Sequence, residues 1–521
     1  MGIINTKKGL FRITVEDQMK KIRILSFFLF LMVLCCWLLS SGQETLAYQK
    51  ISGKAIFDQA KYLSSEKFEG RETFTDEEFE AGCYIAGKFK DYGLKPVDPQ
   101  GGYCQVMEMD CGVVGLNNQL NMNGRAFQEG MDFRAAAVGT GTVESQVVFV
   151  GYGITTKGYD SYAGVDVCDK IVMVMEGKLS KKGPEFGIAP FHDVLVYNAI
   201  HHGAAGMLFA EGTSPQNRKW PIPARYAADS MKPVLERAQA LGLIRVDDEA
   251  KQAWRKFPLV YITQEVADFL LAERGWTSAG LKRKIDESGQ PLPFALGHRV
   301  HVQTDVTHSS QKTMNIVGLI EGGDPTLNEE TVIIGAHYDH IGRLDARQPE
   351  QIAFGADDNA SGTAALMEIA RVLAKSPIKP KRSILLIAFT GEEKGGLGSQ
   401  LYLDHPLRPL SGTKAMFNMD MIGRNDSKKI GIFSSQPDLM DLSREIGRRL
   451  EIAVEPLEAG YAESSDHGLF LAKNIPVIFY YDGGGDFAHK ATDTWDQLSA
   501  EKMECVARLC FLSAWALADQ D

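Results

Sequence analysis

Three patterns of apolar and polar positions follow one another along the 521-residue chain. From Ile51 to about Pro96, apolar residues recur at intervals of three and four, which predicts amphipathic helices. Gly93 and Pro96 close that segment with a typical helix stop, and a β-like stretch follows to about Ala137. From about 142 to 290, short apolar runs are separated by few helical segments. This second pattern predicts a compact β-rich unit.

From about 296 onward, strand-like and helix-like segments alternate. The predicted strands include 331–336, 383–389, 415–421 and 475–480, and the predicted helices are 361–374, 439–450 and 500–518. Strands separated by helices are typical of a sheet with helices on both faces. The predicted fold class is therefore α/β, with a mixed, largely parallel sheet flanked by helices and an inserted β-rich unit.

These changes of pattern predict four segments. Residues 1–47 form an N-terminal extension and targeting signal, 48–141 and 293–521 together form the α/β domain, and 142–292 form the insertion. A chain of this length is too long for one ordinary core, which agrees with more than one domain.

The N-terminal segment has the features of a secretory signal. Lys20, Lys21 and Arg23 precede an apolar run from Ile24 to Leu39, and small or polar residues follow up to Ala47. The run is short for a bilayer span, which takes about 20 residues, although an uncleaved anchor remains an alternative. We therefore expect export to the periplasm or the extracellular space, with no stable membrane span after cleavage.

The amino-acid composition narrows the classes of partner and reaction that the chain can have. The chain is 44% apolar and 24% charged, with a net charge of −11. An acidic chain has no basic surface with which to displace counterions, so nucleic acid is excluded as a partner. The chain also lacks a phosphate-binding glycine loop, which argues against nucleotide chemistry.

Five side chains of metal-binding type lie at or just beyond the predicted strand ends or in the loops after them: His337, Asp357, Glu393, Asp420 and His489. In open α/β sheets, ligands bind at the carboxyl ends of the strands. Two imidazoles and three carboxylates suit a two-metal hydrolytic site, and zinc accepts both nitrogen and oxygen ligands. Asp420 stands in an apolar run, where an unpaired charge would be costly.

Local patterns indicate a role for each residue. Asp357 opens a helix and is assigned as the bridging ligand, which leaves Asn359 or Ser361 to cap that helix. Asp339 lies two residues after His337 and is expected to accept a hydrogen bond from its ring. Glu392, beside the ligand Glu393, is expected to be the general base.

The last ligand has two candidates. His489 is preferred, with Asp493 as its expected hydrogen-bond partner, and His467 is expected to line the site.

The strings GAHYDHIG, GADDNASG, FTGEEKGG, NMDMIGR, SSDHGLF and HKATDTWD resemble, in order and spacing, the M28 family of co-catalytic zinc peptidases. The likeness covers about 296–521 and the lead-in at about 50–140, and the segment between resembles a protease-associated (PA) domain. It implies two zinc ions per chain: His337 and Asp420 on one, Glu393 and His489 on the other, and Asp357 on both. Many relatives have a tyrosine where this chain has Ala488, so Tyr480 and Tyr481 are candidates to polarise the scissile carbonyl.

The expected function is that of a secreted aminopeptidase, which removes N-terminal residues from peptides by attack of a zinc-bound hydroxide. A carboxypeptidase or glutaminyl cyclase of the same fold is an alternative, and a non-catalytic binding protein is a third. A carboxypeptidase needs a cation for the substrate carboxylate, and an aminopeptidase needs an acid or carbonyl for the ammonium. Arg343, Arg424 and Asp486 all lie near the motifs, so the sequence leaves this choice open.

Overall fold

A computed structural model describes residues 47–98, 101–177, 192–210, 225–227, 235, 238–240, 242–344, 350–425, 427–483 and 487–521. The predicted signal segment, apart from Ala47, lies outside these residues. Within them, no helix combines the length and apolar character needed to cross a bilayer.

The described residues form two large sheets and two short two-stranded sheets, with helices around them. The helices are α1 Gly53–Leu63, α2 Asp76–Tyr92, α3 His192–His201, α4 Asp248–Trp254, α5 Gln264–Leu271, α6 Ser278–Ser288, α7 Gly362–Ala374, α8 Leu397–Asp404, α9 Pro437–Leu450, α10 His467–Ala472 and α11 Ala500–Ala518. The strands are β1 Lys95–Pro96, β2 Cys104–Val114, β3 Gln119–Met122, β4 Arg125–Ala126, β5 Phe133–Ala135, β6 Gly141–Phe149, β7 Thr155–Thr156, β8 Tyr159–Asp160, β9 Ile171–Met175, β10 Gly206–Ala210, β11 Arg225–Ala227, β12 Leu259–Ile262, β13 Phe294–Thr304, β14 Val306–Ile320, β15 Thr331–His337, β16 Gly342–Arg343, β17 Ile352–Ala353, β18 Ser383–Phe389, β19 Thr413–Met419, β20 Lys429–Ser434, β21 Ala453–Pro456 and β22 Val477–Tyr481.

The first sheet has ten strands, in the order β11-β2-β14-β18-β15-β19-β22-β20-β21, with β1 also paired to β14. Its centre, β18-β15-β19-β22, is parallel. β2 and β14 join their neighbours in antiparallel fashion, and β20 is antiparallel to β22 but parallel to β21. The mixed α/β class is confirmed, and the parallel pairing is concentrated where the predicted strand–helix alternation lies.

Both faces of this sheet are covered, which explains its uninterrupted apolar strands. Val332 and Ile334 face a large core that also includes residues of α1, α2, α7 and α11. Ile333, between them, faces a smaller core with residues of α8 and α10. Because successive strand residues point to opposite faces, a strand between two helix layers must be apolar at every position.

Helix boundaries follow their local signals. Ser52 and Thr75 cap α1 and α2 by accepting bonds from the backbone N–H groups three residues on. Gly93 ends α2 in the left-handed region, at φ 87°, as the sequence predicts.

The second sheet has eight strands, in the order β4-β3-β13-β6-β9-β10-β12-β5, and a hydrophobic core of its own. It extends beyond the predicted 142–292 segment on both sides, since β3, β4 and β5 precede residue 142 and β13 runs from Phe294 to Thr304. The sequence pattern of β3, β4 and β5 does not distinguish them from the segment that precedes them. Only their pairing assigns them to the second sheet. In contrast, β11 lies within the segment but pairs with β2 of the first sheet.

Candidate metal centre

The four parallel strands of the first sheet deliver polar side chains to one edge. His337 is the last residue of β15 and lies in register with Phe389 at the end of β18. Asp420 directly follows β19, and its backbone N–H donates to the carbonyl of Tyr480 in β22 (3.1 Å). Glu392 and Glu393 lie in the turn after β18. The strand ends therefore bring together residues that are far apart in sequence, as expected for this type of sheet.

Three buried side chains form a first possible metal-binding group: His337, Asp358 and Asp420. His337 Nε2 lies 3.2 Å from Asp420 Oδ1 and 3.4 Å from Asp358 Oδ1. One imidazole nitrogen and two carboxylate oxygens thus converge on a single point, which is a zinc-compatible set of donors.

Four side chains form a second group beside it: His340, Asp358, Glu393 and His489. His489 Nε2 lies 2.9 Å from Glu393 Oε2 and 3.3 Å from Asp358 Oδ2. His340 Nδ1 lies 2.7 Å from Glu393 Oε1 and 3.8 Å from Asp358 Oδ2. Asp358 belongs to both groups and turns one carboxylate oxygen toward each.

The electrostatics of both groups favour a bound cation. Burial alone would lower the pKa of the His337 ring, but Asp420 overcomes it and raises that pKa well above its usual value. Against burial in the same way, Glu393 raises the pKa of His489 to about 11. Burial would raise the pKa of Glu393, yet His489 lowers it to about 2. The carboxylates therefore favour the protonated, positively charged form of the histidines. A divalent metal ion would provide such positive charge directly.

The prediction that Asp357 bridges the two groups is wrong, because Asp358 occupies that position. Asp357 Oδ1 instead accepts a hydrogen bond from the N–H of Gly423 (2.7 Å), and its Oδ2 lies 3.5 Å from Arg424 Nε. The chain does not enter α7 directly: Asp358 and Asn359 have non-helical backbone angles. The two adjacent acids consequently point in different directions.

Asn359 stabilises the start of α7. Its Oδ1 accepts from the N–H of Gly362 (2.9 Å), which resolves the choice left open between Asn359 and Ser361. Ser361 Oγ donates to the carbonyl of Asp357 (2.7 Å) and so stabilises the turn itself.

Asp339 lies beside the ring of His337, as predicted, and it has further partners. His337 Nδ1 lies 3.2 Å from the backbone carbonyl of Asp339 and 3.6 Å from its carboxylate. That carboxylate also accepts from Thr73 Oγ1 (2.8 Å) and from the N–H groups of Glu392 (3.2 Å) and Glu393 (3.4 Å). Asp339 therefore connects the His337 loop to the turn that carries the candidate base.

The candidate base Glu392 lies beside both groups. Burial, with Glu393 and Asp420 adding negative charge, raises the pKa of its carboxyl well above the usual value, although His337 opposes the shift. A carboxyl with a raised pKa holds a proton more readily, which suits proton transfer near neutral pH.

The structure separates the two histidine candidates. His489 belongs to the second group, whereas His467 stacks on Phe479 with ring centroids 4.1 Å apart. The Nε2 atom of His467 lies 2.9 Å from the carbonyl of Tyr461, and burial lowers the pKa of its ring to about 4. His467 is thus part of the packing behind the site.

The hydrogen bonds of Asp493 differ from the predicted one to His489. Its carboxylate accepts from the N–H groups of Asp357 and Asp358, at 3.0 to 3.1 Å, and from Arg424 Nη2 (2.7 Å). Asp493 therefore fixes the turn that carries the shared carboxylate.

The structure also distinguishes the two tyrosine candidates for polarising the carbonyl. Tyr480 is fully buried, and the groups that influence its hydroxyl are Cys510, Ser513 and Ser443, away from the metal-binding residues. Tyr481 is only partly buried, and Asp420 and Asp358 add to the effect of burial in raising its pKa. Of the two, Tyr481 is the one that faces the acids.

Besides Asp358, His340 is a residue of this centre that the sequence interpretation missed. It stands three residues after His337, in the string HYDH, and is fully buried. A second histidine so close to the first was the available signal, but the turn after β15 hides it, because strand alternation no longer predicts its direction.

A comparison with protein families matches residues 315–514 to the model described as peptidase family M28. Among curated proteins, aminopeptidase YwaD of Bacillus subtilis is 28% identical over 208 residues, which is 38% of this chain and 43% of that protein. A probable leucine aminopeptidase of Arthroderma otae is 32% identical over 205 residues, covering 37% and 56%. The chain thus spans about half the length of these relatives.

Two solved structures show the same fold over nearly the whole chain. An aminopeptidase from Aneurinibacillus sp. strain AM-1 superposes with a TM-score of 0.64 at 20% identity and covers 92% of this chain and 97% of its own. BSAP, a zinc aminopeptidase from Bacillus subtilis, gives a TM-score of 0.56 at 19% identity and covers 90% and 96%. Residues 315–514 therefore match peptidase family M28, and the likeness to the two solved structures shows that the chain shares their fold.

Proposed function

We propose that the protein is a two-zinc aminopeptidase that releases N-terminal residues from peptides. The observation that carries the proposal is the position of Asp358, which turns Oδ1 toward His337 (3.4 Å) and Oδ2 toward His489 (3.3 Å). A carboxylate with one oxygen toward each of two donor groups is suited to bridge two metal ions. Similarity to proteins named as aminopeptidases supports the choice of reaction.

His337, Asp358 and Asp420 would hold one zinc, and Asp358, Glu393, His489 and His340 the other. When bound, zinc would supply Lewis acidity toward a peptide carbonyl and toward water. Glu392 would take a proton from the attacking water and give it to the leaving nitrogen. Asp339 holds the backbone of that residue through the N–H of Glu392.

The contacts of two arginines argue against the carboxypeptidase alternative. Arg424 donates to Asp493 and lies 3.5 Å from Asp357, and its guanidinium lies over the ring of Phe487 at 4.3 Å. Arg343 pairs with Glu69 at 2.5 Å. Both cations are therefore already engaged by carboxylates of the protein. The acid Asp486 lies outside the described residues.

The test compares peptides with a free N-terminus and the same peptides with an acylated N-terminus. We expect hydrolysis of the free peptides alone, with loss of the activity in a chelator and recovery on addition of zinc. Equal cleavage of both kinds of peptide, or cleavage from the C-terminus, would rule out an aminopeptidase.

We also propose that the chain is exported, on the strength of the basic and apolar pattern of residues 20–47. The eight-stranded unit is proposed to be a PA domain. N-terminal sequencing of the mature protein from the exported fraction tests the first point.

A further inference from the structure

A buried segment far from the metal-binding residues in sequence contacts three of the loops that carry them. It consists of Arg71, Glu72 and Thr73, between the short helical turn Glu66–Phe68 and α2, and we call it the clamp segment. Their exposed fractions are 0%, 8% and 0%. We propose that the clamp segment is a positioning element of the metal centre that sets zinc affinity and the placement of Glu392. This inference rests on the proposed two-zinc function.

Arg71 joins the loop after His337 to the loop before Asp358. Its Nε donates to the carbonyl of Tyr338 (2.7 Å), and Nη1 and Nη2 donate to the carbonyls of Phe354 (2.9 Å) and Gly355 (2.8 Å). Burial lowers the pKa of this guanidinium to about 10, with nearby carboxylates opposing the shift, so it remains charged at neutral pH. One rigid, planar cation thus fixes two loops relative to each other.

Glu72 reaches the turn that carries Glu392 and Glu393. Its Oε1 lies 3.1 Å from Nζ of Lys394, and the two side chains are 10% and 2% exposed. A buried pair of this kind is strongly destabilising to break, because the remaining partner would be left as an isolated charge. Glu72 also pairs with His340 through a backbone bridge.

Thr73 acts on the same turn through Asp339. Its Oγ1 donates to Asp339 Oδ2 (2.8 Å), and the Asp339 carboxylate accepts the backbone N–H groups of Glu392 and Glu393. The hydroxyl of Thr73 is therefore one hydrogen bond from the residue that orients the candidate base.

An ordinary buried turn would satisfy its polar side chains with nearby residues, and one side-chain hydrogen bond of the clamp segment is of this kind. Arg71 Nη1 donates to the carbonyl of Leu63, eight residues away. Five further side-chain contacts bridge 266 to 322 residues of sequence, and each ends in a loop next to a proposed ligand or the base. Outer contacts of this kind typically change metal affinity or activity by about 10- to 100-fold when they are removed.

The test uses Thr73→Val, which keeps the shape of the side chain and removes the hydroxyl. The matched control is Thr304→Val, at a buried threonine of the second sheet whose Oγ1 donates to the carbonyl of Gly139 (2.6 Å). Both variants lose one buried hydrogen bond, so a general loss of stability would be similar in the two. Thr73→Ser retains the hydroxyl and tests for rescue.

Zinc affinity is measured on the full chain by competition with a fluorescent chelator, together with kcat and KM on a free dipeptide. We expect Thr73→Val to weaken zinc binding and to lower kcat by about 10- to 100-fold each, with KM within about twofold. Thr73→Ser should recover most of both values, and Thr304→Val should leave both unchanged.

Failure of the clamp proposal can be distinguished from failure of the proposed two-zinc function. A folded Thr73→Val variant with wild-type zinc affinity and kcat would overturn the clamp proposal while the two-zinc function stands. A wild-type protein that binds no zinc would contradict the proposed function itself, and the clamp proposal with it.

Discussion

The two sheets of this protein share a central design and differ in the residues at the ends of their strands. Each has four parallel neighbours, β18-β15-β19-β22 in one and β6-β9-β10-β12 in the other. In the first sheet, the strand ends lead to a dense set of buried acids and histidines. In the second, as far as the structure describes it, the buried charged side chain is Asp193, which accepts from Trp254.

This difference shows that a parallel sheet provides an edge for a site, whereas the residues at that edge decide whether a site exists. Charges are costly to bury unless they are paired or bind a metal. The first unit buries many charged side chains at one edge of its sheet, whereas the second unit buries few. Activity should therefore respond to changes at the first edge and be largely indifferent to changes in the second unit.

The largest expected effect comes from Glu392→Gln. The variant cannot accept a proton, so kcat should fall by about 10²- to 10⁴-fold. The zinc content should be unchanged, because Glu392 belongs to neither metal-binding group. Steady-state kinetics and metal analysis on the same sample check this result, and turnover at the wild-type rate would remove Glu392 from the mechanism.

A second prediction concerns the pH dependence of stability in the first unit. Glu78 is fully buried and accepts from the hydroxyls of Thr313 (2.7 Å) and Thr390 (2.8 Å). Burial raises the pKa of its carboxyl to about 7, above the value of about 4.3 in an unfolded chain. Between these values the folded state binds the extra proton, so stability decreases as pH rises and the loss is complete above about pH 7.

We expect Glu78→Gln to remove that decrease, a difference of the order of 3 kcal/mol in the free energy of unfolding at pH 8 relative to pH 4. Urea denaturation at the two pH values provides the measurement. Glu80→Gln, on the exposed side of the same helix, is the control. Identical pH slopes for the wild type and Glu78→Gln would show that Glu78 is not the group responsible.

Zinc should stabilise the two units unequally. A ligand at one hundred times its Kd adds about 2.7 kcal/mol to the state that binds it. We expect zinc to slow hydrogen exchange in β15 and β19 and to leave β9 unchanged, as followed by mass spectrometry with and without chelator. Equal protection of both units would show that zinc does not stabilise the first unit selectively.

The smallest effect is expected in the second unit. His202 stacks on Tyr162 with centroids 4.0 Å apart, and its Nε2 lies 3.2 Å from Thr155 Oγ1. His202→Gln should cost about 1 kcal/mol of stability, as for a typical lost hydrogen bond, and leave kcat within about twofold. A large fall in kcat without unfolding would mean that the second unit contributes to the reaction.

Much of the fold could be predicted from the chain alone, because apolar periodicity reports burial. The predicted helix 500–518 matches α11, and the predicted strand 383–389 matches β18. Strands beside the insertion were harder to assign. Residues 119–135 have the same local pattern whichever sheet they join, and only long-range pairing with β12 and β13 decides.

The candidate centre was predictable in its location and only partly in its members. His337, Glu393, Asp420 and His489 lie together where the strand ends predicted them. The choice between Asp357 and Asp358 depends on the backbone angles of a single turn, which residue type does not determine. The contacts of Arg71 were equally hidden, since nothing local marks an arginine whose partners lie in distant loops.

The central claim is that Asp358 bridges two zinc ions. Native mass spectrometry of the wild type, Asp358→Asn and Asp357→Asn tests it most directly, because adjacent acids serve as site and control. We expect two zinc ions per chain in the wild type and in Asp357→Asn, and fewer than two in Asp358→Asn. Two zinc ions retained by Asp358→Asn, or an equal loss from both variants, would contradict the account.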